Sequence, residues 1–384
     1  MDQTTILNNI YNTDCRSGLK ELPSECVDCC ITSPSYYGFR DYGTAKWEGG
    51  DPNCQHSIRE EAGFEKWKQS TNRGNAKNLP KGVCLKCGAI RIDNQIGLED
   101  TPEAYIEQLV EVFTEVYRIL KPTGTLWINI GDSYWGGKGY SGSSAGIYQY
   151  ERRKRNESIN RECSNFGGKG TIRSTDKKHE YIKRKDLIGI PWMLAFALRN
   201  AGWYLRQDII WHKPNPMPES VKDRCTKSHE YLFLLSKSDK YYFNNEAIME
   251  IASYDGRKDT RTKGSHKYSQ QGITGLNPQA FAARSHERWI MNDGKYMRNK
   301  RSVWTVCTKP LRENHFASFP ESLIKDCVLA GCPQGGIVLD PFMGSGTTAI
   351  VVRKLGCNYV GFELNPDYVA ICEKRIRNEL GIFK

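Results

Sequence analysis

The chain has 384 residues, of which 39% are apolar, and a formal net charge of +11. This length and apolar content allow one large domain with insertions or two ordinary domains. The chain has enough apolar residues to form a hydrophobic core, so a class of protein without a core is excluded. No apolar run is long enough for a membrane span, and residues 1 to 15 lack the basic start and apolar stretch of a signal peptide, so we expect a cytoplasmic protein with no membrane partner.

Strands and helices are predicted to alternate along the first half of the chain. The apolar run Val27 to Thr32 predicts a buried strand that leads into a loop at Ser33-Pro34. Thr101-Pro102 predicts a helix start, because apolar residues then recur at helical spacing as far as Leu120. Residues 125 to 130 predict the next strand.

The second half continues the alternation. Its predicted elements are a helix from Ile190 to Leu198, strands from Trp203 to His212 and from Glu230 to Leu235, a helix from Phe319 to Ala330, a strand from Ile337 to Asp340, a helix from Thr347 to Leu355, a strand from Tyr359 to Glu363 and a helix from Pro366 to Asn378. This order predicts an α/β fold with a parallel, doubly wound sheet.

Three stretches interrupt the pattern. Residues 47 to 92 hold Cys and His at suggestive spacing, residues 136 to 185 are rich in Gly, Ser, Lys and Arg, and residues 246 to 313 lack clear periodicity. We interpret the middle stretch as a basic, mobile loop. The predicted α/β domain consists of the remaining segments, residues 1 to 46, 93 to 135, 186 to 245 and 314 to 384.

The positive charge is concentrated within two of these stretches. Residues 151 to 185 contribute +7 and residues 255 to 313 contribute +8, which leaves about −4 for the rest of the chain. Such clustering fits a binding surface for a polyanion better than a uniformly basic surface would. Solvated loops that only maintain solubility are the alternative.

A glycine-rich turn follows the strand predicted to end at Asp340. Gly344-Ser345-Gly346 allows the backbone to turn tightly and approach a ligand that a side chain would exclude. Glu363, at the end of the next predicted strand, can accept hydrogen bonds from ribose hydroxyls. The carboxylate of Asp340 can meet the positive amino acid portion of S-adenosylmethionine.

The same turn also matches the relaxed dinucleotide fingerprint, as Gly344-x-Gly346-x-x-Ala349. On this motif alone, a nicotinamide oxidoreductase is therefore an alternative function. However, only 35 residues follow Ala349, so the rest of the sheet must come from the N-terminal part of the chain. A simple nicotinamide-binding half would not require this.

Several segments together resemble the DNA amino-methyltransferases of the permuted beta class, in which the catalytic motif precedes the cofactor motif. The matching segments are Thr32 to Tyr37, Gly124 to Asp132, Trp211 to Ser220, Ser228 to Tyr231, Phe319 to Leu323 and Leu339 to Thr348. The resemblance covers nearly the whole chain apart from the inserts. It implies a Rossmann-like methyltransferase sheet with circularly permuted motif order, double-stranded DNA as partner, and a target-recognition region at residues 246 to 313.

The resemblance also implies how S-adenosylmethionine is held. Asp14 matches an acidic residue that contacts the adenine of the cofactor, Phe342 flanks that adenine, and Phe319 lies near the methionine portion. The full set of expected cofactor-binding residues is Asp14, Phe319, Asp340, Pro341, Phe342, Gly344, Ser345, Gly346, Thr347 and Glu363.

The predicted catalytic motif is Ser33-Pro34-Ser35-Tyr36. An exocyclic amine on cytosine or adenine is a poor nucleophile because its lone pair is delocalised into the ring, so the enzyme must favour a tetrahedral nitrogen. The Ser33 hydroxyl and the Pro34 carbonyl supply two acceptors for the N–H bonds, and Tyr36 can stack on the base. The base must leave the double helix to reach such a pocket.

Ser33 resembles the cytosine-N4 branch, since the adenine-N6 branch has Asp or Asn at this position. The expected function is thus site-specific N4 methylation of cytosine, as the modification half of a bacterial, archaeal or phage defence system with a cognate restriction endonuclease. Ser35 departs from the family, which has Pro there, and this loosens the loop. The alternatives are adenine-N6 methylation, methylation of a protein glutamine, and a catalytically idle DNA-binding protein.

Cys54-x-His56 and Cys84-x-x-Cys87 offer four ligands for a tetrahedral zinc ion. We expect most of the other cysteines to be buried thiols, because disulfides are rare in intracellular chains of this size. We predict a structural zinc ion that orders the insert, since four protein ligands leave no open position for catalysis. Two unrelated surface pairs are the alternative.

Overall fold

The computed structural model describes residues 6–38, 44–56, 83–84, 86–136, 179–252, 297–308 and 319–381. Most of the predicted mobile loop and most of the predicted target-recognition region fall outside these ranges, as do most residues of the two basic segments. Within the described ranges, no helix is both long enough and apolar enough to cross a membrane. Most of the described cysteines are free and buried, as expected.

The helices and strands follow one another as the sequence predicts, with some additions. The described helices are α1 (Cys15–Lys20), α2 (Pro102–Ile119), α3 (Ile190–Asn200), α4 (Glu321–Gly331), α5 (Thr347–Lys354) and α6 (Pro366–Leu380). The described strands are β1 (Asn9–Asn12), β2 (Val27–Thr32), β3 (Lys46–Glu48), β4 (Ile90–Ile92), β5 (Leu120–Ile130), β6 (Tyr204–His212), β7 (His229–Ser236), β8 (Glu250–Ile251), β9 (Met297–Arg298), β10 (Val303–Thr305), β11 (Ile337–Asp340) and β12 (Asn358–Glu363).

A central sheet of eight strands organises the described part of the chain, in the order β1-β12-β11-β2-β5-β7-β6-β10. The doubly wound α/β fold is confirmed with one correction. β7 runs antiparallel to both of its neighbours, β5 and β6, whereas all other neighbouring pairs are parallel. Because residues 213 to 228 join β6 to β7 without a crossover helix, the chain returns in the opposite direction.

Two apolar clusters cover the faces of this sheet. Leu126 and Ile128 of β5 belong to the cluster under α1, α2 and α3, whereas Trp127 between them belongs to the cluster under α4, α5 and α6. Alternate side chains of one strand thus enter opposite cores. A strand that is buried on both faces is mostly apolar, which explains the apolar runs Cys29 to Ile31 in β2, Leu126 to Ile128 in β5 and Ile337 to Leu339 in β11.

The two ends of the chain complete one sheet. β11, near the C-terminal end of the sequence, lies between β12 and β2, with Leu339 opposite Cys30. β12 in turn pairs with β1, with Glu363 opposite Asn12. The carboxyl ends of these four parallel strands therefore lie at one edge of the sheet. From β2 the chain continues to β5 on one side, whereas from β11 it continues to β12 on the other. Ligands bind in the crevice at such a point in open α/β sheets.

Candidate active site

The two sequence motifs meet at the ends of β2 and β11. Thr32 donates a hydrogen bond of 2.6 Å to Oδ1 of Asp340, and Thr348 at the start of α5 donates one of 2.6 Å to Oδ2. The Phe342 amide also donates to Oδ1, at 3.0 Å. Burial raises the pKa of Asp340 to about 6, although these hydrogen bonds oppose the shift. Asp340 thus joins the end of β2 to the glycine turn after β11.

The glycine turn after β11 has the predicted conformation. Gly346 has φ +81° at the N-cap of α5, and a Cβ there would lie 2.0 Å from Sγ of Cys372. Gly344 also has a positive φ, of 53°. Residues with a side chain rarely adopt this conformation, and Gly346 has no room for one. The turn brings backbone N–H groups to the start of a helix, which suits the binding of a ligand.

Glu363, at the end of β12, is bonded to this turn. Its Oε2 accepts from the Gly344 amide at 2.9 Å, and its Oε1 accepts from the Asn365 amide at 2.8 Å. Burial raises the pKa of Glu363 above its usual value. The Leu364 amide contributes a third hydrogen bond, so one of the four acceptor positions of the carboxylate remains for a ribose hydroxyl. Glu363 therefore has a structural task that the sequence did not indicate.

Arg375 of α6 also supports the turn and was missed from the sequence. Its Nη1 donates to the Ser345 carbonyl at 2.8 Å, lies 3.0 Å from Ser345 Oγ, and lies 3.2 Å from Thr347 Oγ1. The residue is only 7% exposed. Arg375 lies three residues after Cys372 and directly before Ile376, and both of these residues pack in the apolar cluster under α4 to α6. This helical spacing was the sequence signal that Arg375 lies on the inner face of α6.

The other expected cofactor residues lie at the same edge or next to it. Asp14 follows β1 and caps α1, where its carboxylate accepts from the Arg16 amide at 2.9 Å and forms an ion pair with the Arg16 guanidinium at 2.5 Å. Phe342, after Pro341, packs against the cluster under α1 to α3. Phe319, which precedes α4, packs against the opposite cluster.

The predicted catalytic loop begins where β2 ends. Ser33 and Tyr36 are half-buried and Pro34 is buried. Tyr105 of α2 donates a hydrogen bond of 2.8 Å to the Ser35 carbonyl. A hydrogen bond from α2 thus holds the loop at Ser35, the position where the family has a proline.

A polar network supports Tyr36 and was also missed from the sequence. Its hydroxyl donates to Oε2 of Glu230 at 2.8 Å, and the Oδ1 of Asn129 lies 3.3 Å from that hydroxyl. Ser33 donates to the same Asn129 oxygen at 3.5 Å. Glu230 also forms an ion pair with Lys213. Burial, followed by the charge of Glu230, raises the pKa of Tyr36 well above its ordinary value, so its hydroxyl stays neutral.

The ring of Tyr36 lies close to the backbone at the end of β5. A Cβ at Gly131 would be 2.7 Å from Cε2 of Tyr36, so only glycine allows this approach. Asn129 and Glu230 sit on neighbouring strands, with Asn129 Nδ2 donating to Glu230 Oε2 at 3.3 Å. Both are polar residues within strand segments that matched the family, which was the signal that could have identified them.

Elsewhere, the predicted metal ligands come together. The ligand atoms of Cys54, His56, Cys84 and Cys87 all lie within 4.8 Å of one another.

Three basic residues of the predicted recognition region are described, and all form ion pairs within the chain. Arg298 and Arg301 lie 2.8 Å and 2.5 Å from Glu250, and Lys300 lies 2.5 Å from Asp326.

An α/β sheet with this strand order, a glycine turn with a carboxylate on the next strand, and a Ser-Pro-Ser-Tyr loop beside it define the class of S-adenosylmethionine-dependent methyltransferases. Residues 27–374 match the model of the N6/N4 DNA methylase family, and the chain belongs to this family. It is a type II DNA methyltransferase of the N4/N6 amino-methyltransferase group.

Two relatives align over nearly the whole chain. Type II methyltransferase M.Cfr9I of Citrobacter freundii is 37% identical over 383 residues, which cover 96% of this chain and 88% of that protein. Type II methyltransferase M.SmaI of Serratia marcescens is 38% identical over 364 residues, which cover 94% and 88%. Among solved structures, the cytosine-N4-specific PvuII DNA methyltransferase shares the fold, with a TM-score of 0.51 and 13% identity over 97% of this chain and 93% of that one.

Proposed function

We propose that this enzyme methylates the exocyclic N4 amine of cytosine in double-stranded DNA. The observation that carries the proposal is the position of Ser33. Its hydroxyl lies one residue beyond Thr32, whose hydrogen bond to Asp340 joins the catalytic strand to the cofactor strand. A hydroxyl rather than a carboxylate or amide at this point is the feature of the cytosine-N4 branch.

The catalytic loop acts by holding the amine. The Ser33 hydroxyl and the Pro34 carbonyl accept hydrogen bonds from the two N–H groups, which favours a tetrahedral nitrogen with its lone pair available. After methyl transfer the nitrogen carries one proton in excess, and the same two acceptors stabilise that cationic state until the proton is released. Tyr105 keeps the loop in position through the Ser35 carbonyl.

Tyr36 supplies the stacking surface for a base that has left the double helix. Glu230 accepts a hydrogen bond from its hydroxyl, and the lack of a side chain at Gly131 lets the ring lie against the backbone, so the ring is held in position. A rigid, neutral ring positions the cytosine without competing for its polar edge. Positioning of this kind supplies much of the rate enhancement when no covalent intermediate is needed.

S-adenosylmethionine, when bound, supplies a methyl group on a sulfonium ion as the electrophile. The residues that would hold it are those at the sheet edge, with the glycine turn against the backbone of the ligand and Glu363 at the ribose. The positive φ values of Gly344 and Gly346, which bring the backbone into a tight turn, and the remaining acceptor position on Glu363 fit such a group. Asp14, Phe319, Asp340 and Phe342 complete the proposed cofactor site.

We assign the remaining segments by the same reasoning. Residues 246 to 313 form the target-recognition region, and the basic residues outside the described ranges contact phosphates. Pairing with a restriction endonuclease is part of this proposal, because type II methyltransferases such as the two relatives belong to restriction-modification systems.

Expression in a host that lacks DNA methylation, followed by mapping of modified bases at single-nucleotide resolution, tests the proposal. We expect N4-methylcytosine at one recurring sequence with the wild-type protein, and its loss with Ser33→Ala. Ser17→Ala, at an exposed position of α1, is the matched control and should leave the marks unchanged. Marks on adenine would contradict the substrate, and cofactor binding without any marks would indicate an idle DNA-binding protein.

A further inference from the structure

Four metal-ligating side chains converge beyond the paired ends of β3 and β4. Sγ of Cys54 lies 3.9 Å from Sγ of Cys84, and Sγ of Cys87 lies 3.3 Å from Nδ1 of His56. Tetrahedral ligands at Zn–S of about 2.3 Å and Zn–N of about 2.0 Å are separated by about 3.5 to 3.8 Å. These two distances are close to the expected values, and all four ligand atoms, three from thiols and one from an imidazole, lie within 4.8 Å of one another.

The local backbone holds these ligands in place. The Cys84 amide donates to the Ala89 carbonyl at 2.7 Å, and the Gly88 amide donates back to the Cys84 carbonyl at 2.9 Å. Gly88 has φ +77°, which favours glycine in this tight turn. On the other side, the ring of Trp47 stacks on that of His56, with centroids 4.7 Å apart. Both ligand pairs are therefore oriented by their surroundings.

Among the residues that the structure describes, little else stabilises this hairpin. β3 and β4 have three residues each, and none of their residues is buried. An isolated two-stranded hairpin is marginal in water. The 3.9 Å between Cys54 and Cys84 is also far longer than the roughly 2 Å of a disulfide. A metal ion bound by four protein ligands would supply the missing free energy of folding.

The base of the hairpin contacts the catalytic loop. Thr44 donates a hydrogen bond of 2.8 Å to Asp93, which closes the hairpin, and the Gly38 amide donates to the Gly97 carbonyl at 2.8 Å. Gly97 has φ +105°, and a Cβ there would lie 3.2 Å from the Tyr36 carbonyl. The segment that follows β4 thus lies directly against the backbone of Tyr36.

We propose that Cys54, His56, Cys84 and Cys87 bind one zinc ion, and that this ion orders the hairpin so that its base supports the loop of residues 33 to 38. The ion is structural, because four protein ligands leave no position for substrate. The proposal concerns the order of the chain and does not depend on which base is methylated.

Metal analysis of the purified full-length protein is the first test. We expect about one zinc per chain, and after exchange with Co²⁺ we expect the thiolate charge-transfer and tetrahedral ligand-field absorption of a Cys₃His site. His56→Cys should keep the metal, whereas His56→Ala and Cys84→Ser should lose it. Cys225→Ser, which changes an exposed cysteine outside the cluster, is the control and should keep it.

Amide hydrogen exchange on the wild-type protein tests the structural role without any substitution. Removal of zinc with a chelator should reduce protection in residues 44 to 56, 86 to 97 and 33 to 38, and added Zn²⁺ should restore it. Protection in α6 should not change. Less than about half an equivalent of zinc, or iron in its place, would overturn the metal site. Unchanged exchange in residues 33 to 38 after zinc removal would overturn the support of the loop.

Discussion

Thr32 and Asp340 are separated by 308 positions in the chain, and they share a hydrogen bond of 2.6 Å between Oγ1 and Oδ1. This bond joins the strand that leads to the proposed catalytic loop to the strand that leads to the proposed cofactor turn. Asp340 is fully buried beneath both motifs. The segments proposed to hold the methyl acceptor and the methyl donor are therefore joined within the core of the sheet.

Asp340 makes the stability of the ligand-free protein depend on pH. Burial raises the pKa of Asp340 from 3.8 to about 6, so between these values the folded state holds a proton that the unfolded chain has released. The stabilisation is complete below the lower value and is lost as the pH rises through the upper one, by on the order of 3 kcal/mol. In urea unfolding of Asp340→Asn, we expect the free energy of unfolding not to show this loss as the pH rises, because the amide does not titrate.

The control for this experiment is Asp239→Asn, at an exposed position, which should follow the wild-type curve. If Asp340→Asn shows the same change in the free energy of unfolding between pH 4 and pH 7 as the wild type, the buried carboxyl is not the group responsible.

Replacement of Glu363 by alanine should weaken binding of S-adenosylmethionine by about 1 to 3 kcal/mol, since a hydrogen-bonding group of the site is lost. Part of the effect should come from the Gly344 amide, which loses its acceptor. Isothermal titration calorimetry measures the affinity, with the exposed Glu373→Ala as control. Equal affinities of the wild type and Glu363→Ala would remove the cofactor assignment of Glu363.

Arg375→Lys should lower both cofactor affinity and thermal stability. One ammonium group cannot reproduce the contacts of the guanidinium with Ser345, Thr347 and Glu379. We expect a loss of about 1 to 2 kcal/mol in binding, measured by calorimetry together with the melting temperature. Arg377→Lys, two residues away with a side chain that is 59% exposed, should behave as the wild type. Indistinguishable results for the two variants would refute a supporting role for Arg375.

Tyr105→Phe should slow methyl transfer but leave cofactor affinity unchanged. The substitution removes the hydrogen bond to the Ser35 carbonyl and costs about 1 kcal/mol of stability. Tyr117→Phe provides the matched control on the same helix, because that hydroxyl donates to the Lys237 carbonyl, on the chain segment after β7. Single-turnover rates on DNA should fall for Tyr105→Phe only, and equal rates for both variants would show that the loop does not need this bond.

The elements around the cofactor turn were predictable because each carries its own signal. β2, β11 and β12 are short apolar runs that end in a motif, and the glycines of the turn are required by local backbone geometry. The need for N-terminal strands to complete the sheet followed from the number of residues after the turn, and the pairing of β11 with β2 confirms it.

Other features depended on information that no local pattern contains. The direction of β7 is set by its connection to β6, since a strand has the same periodicity in either direction. β1, with the sequence NIYN, and the three-residue strands β3 and β4 are too short or too polar for a clear pattern. Asn129 and Glu230 could be matched to Tyr36 only once the neighbouring strands were known.

The most direct test of the proposed chemistry is the identity of the methylated nucleoside. Purified protein is incubated with unmethylated double-stranded DNA and S-adenosylmethionine labelled in its methyl group, and the digested DNA is analysed by mass spectrometry. We predict the label in N4-methyl-2′-deoxycytidine, and none above background with Ser33→Ala. Label in N6-methyl-2′-deoxyadenosine, or undiminished label with Ser33→Ala, would contradict the account of the amine-binding loop.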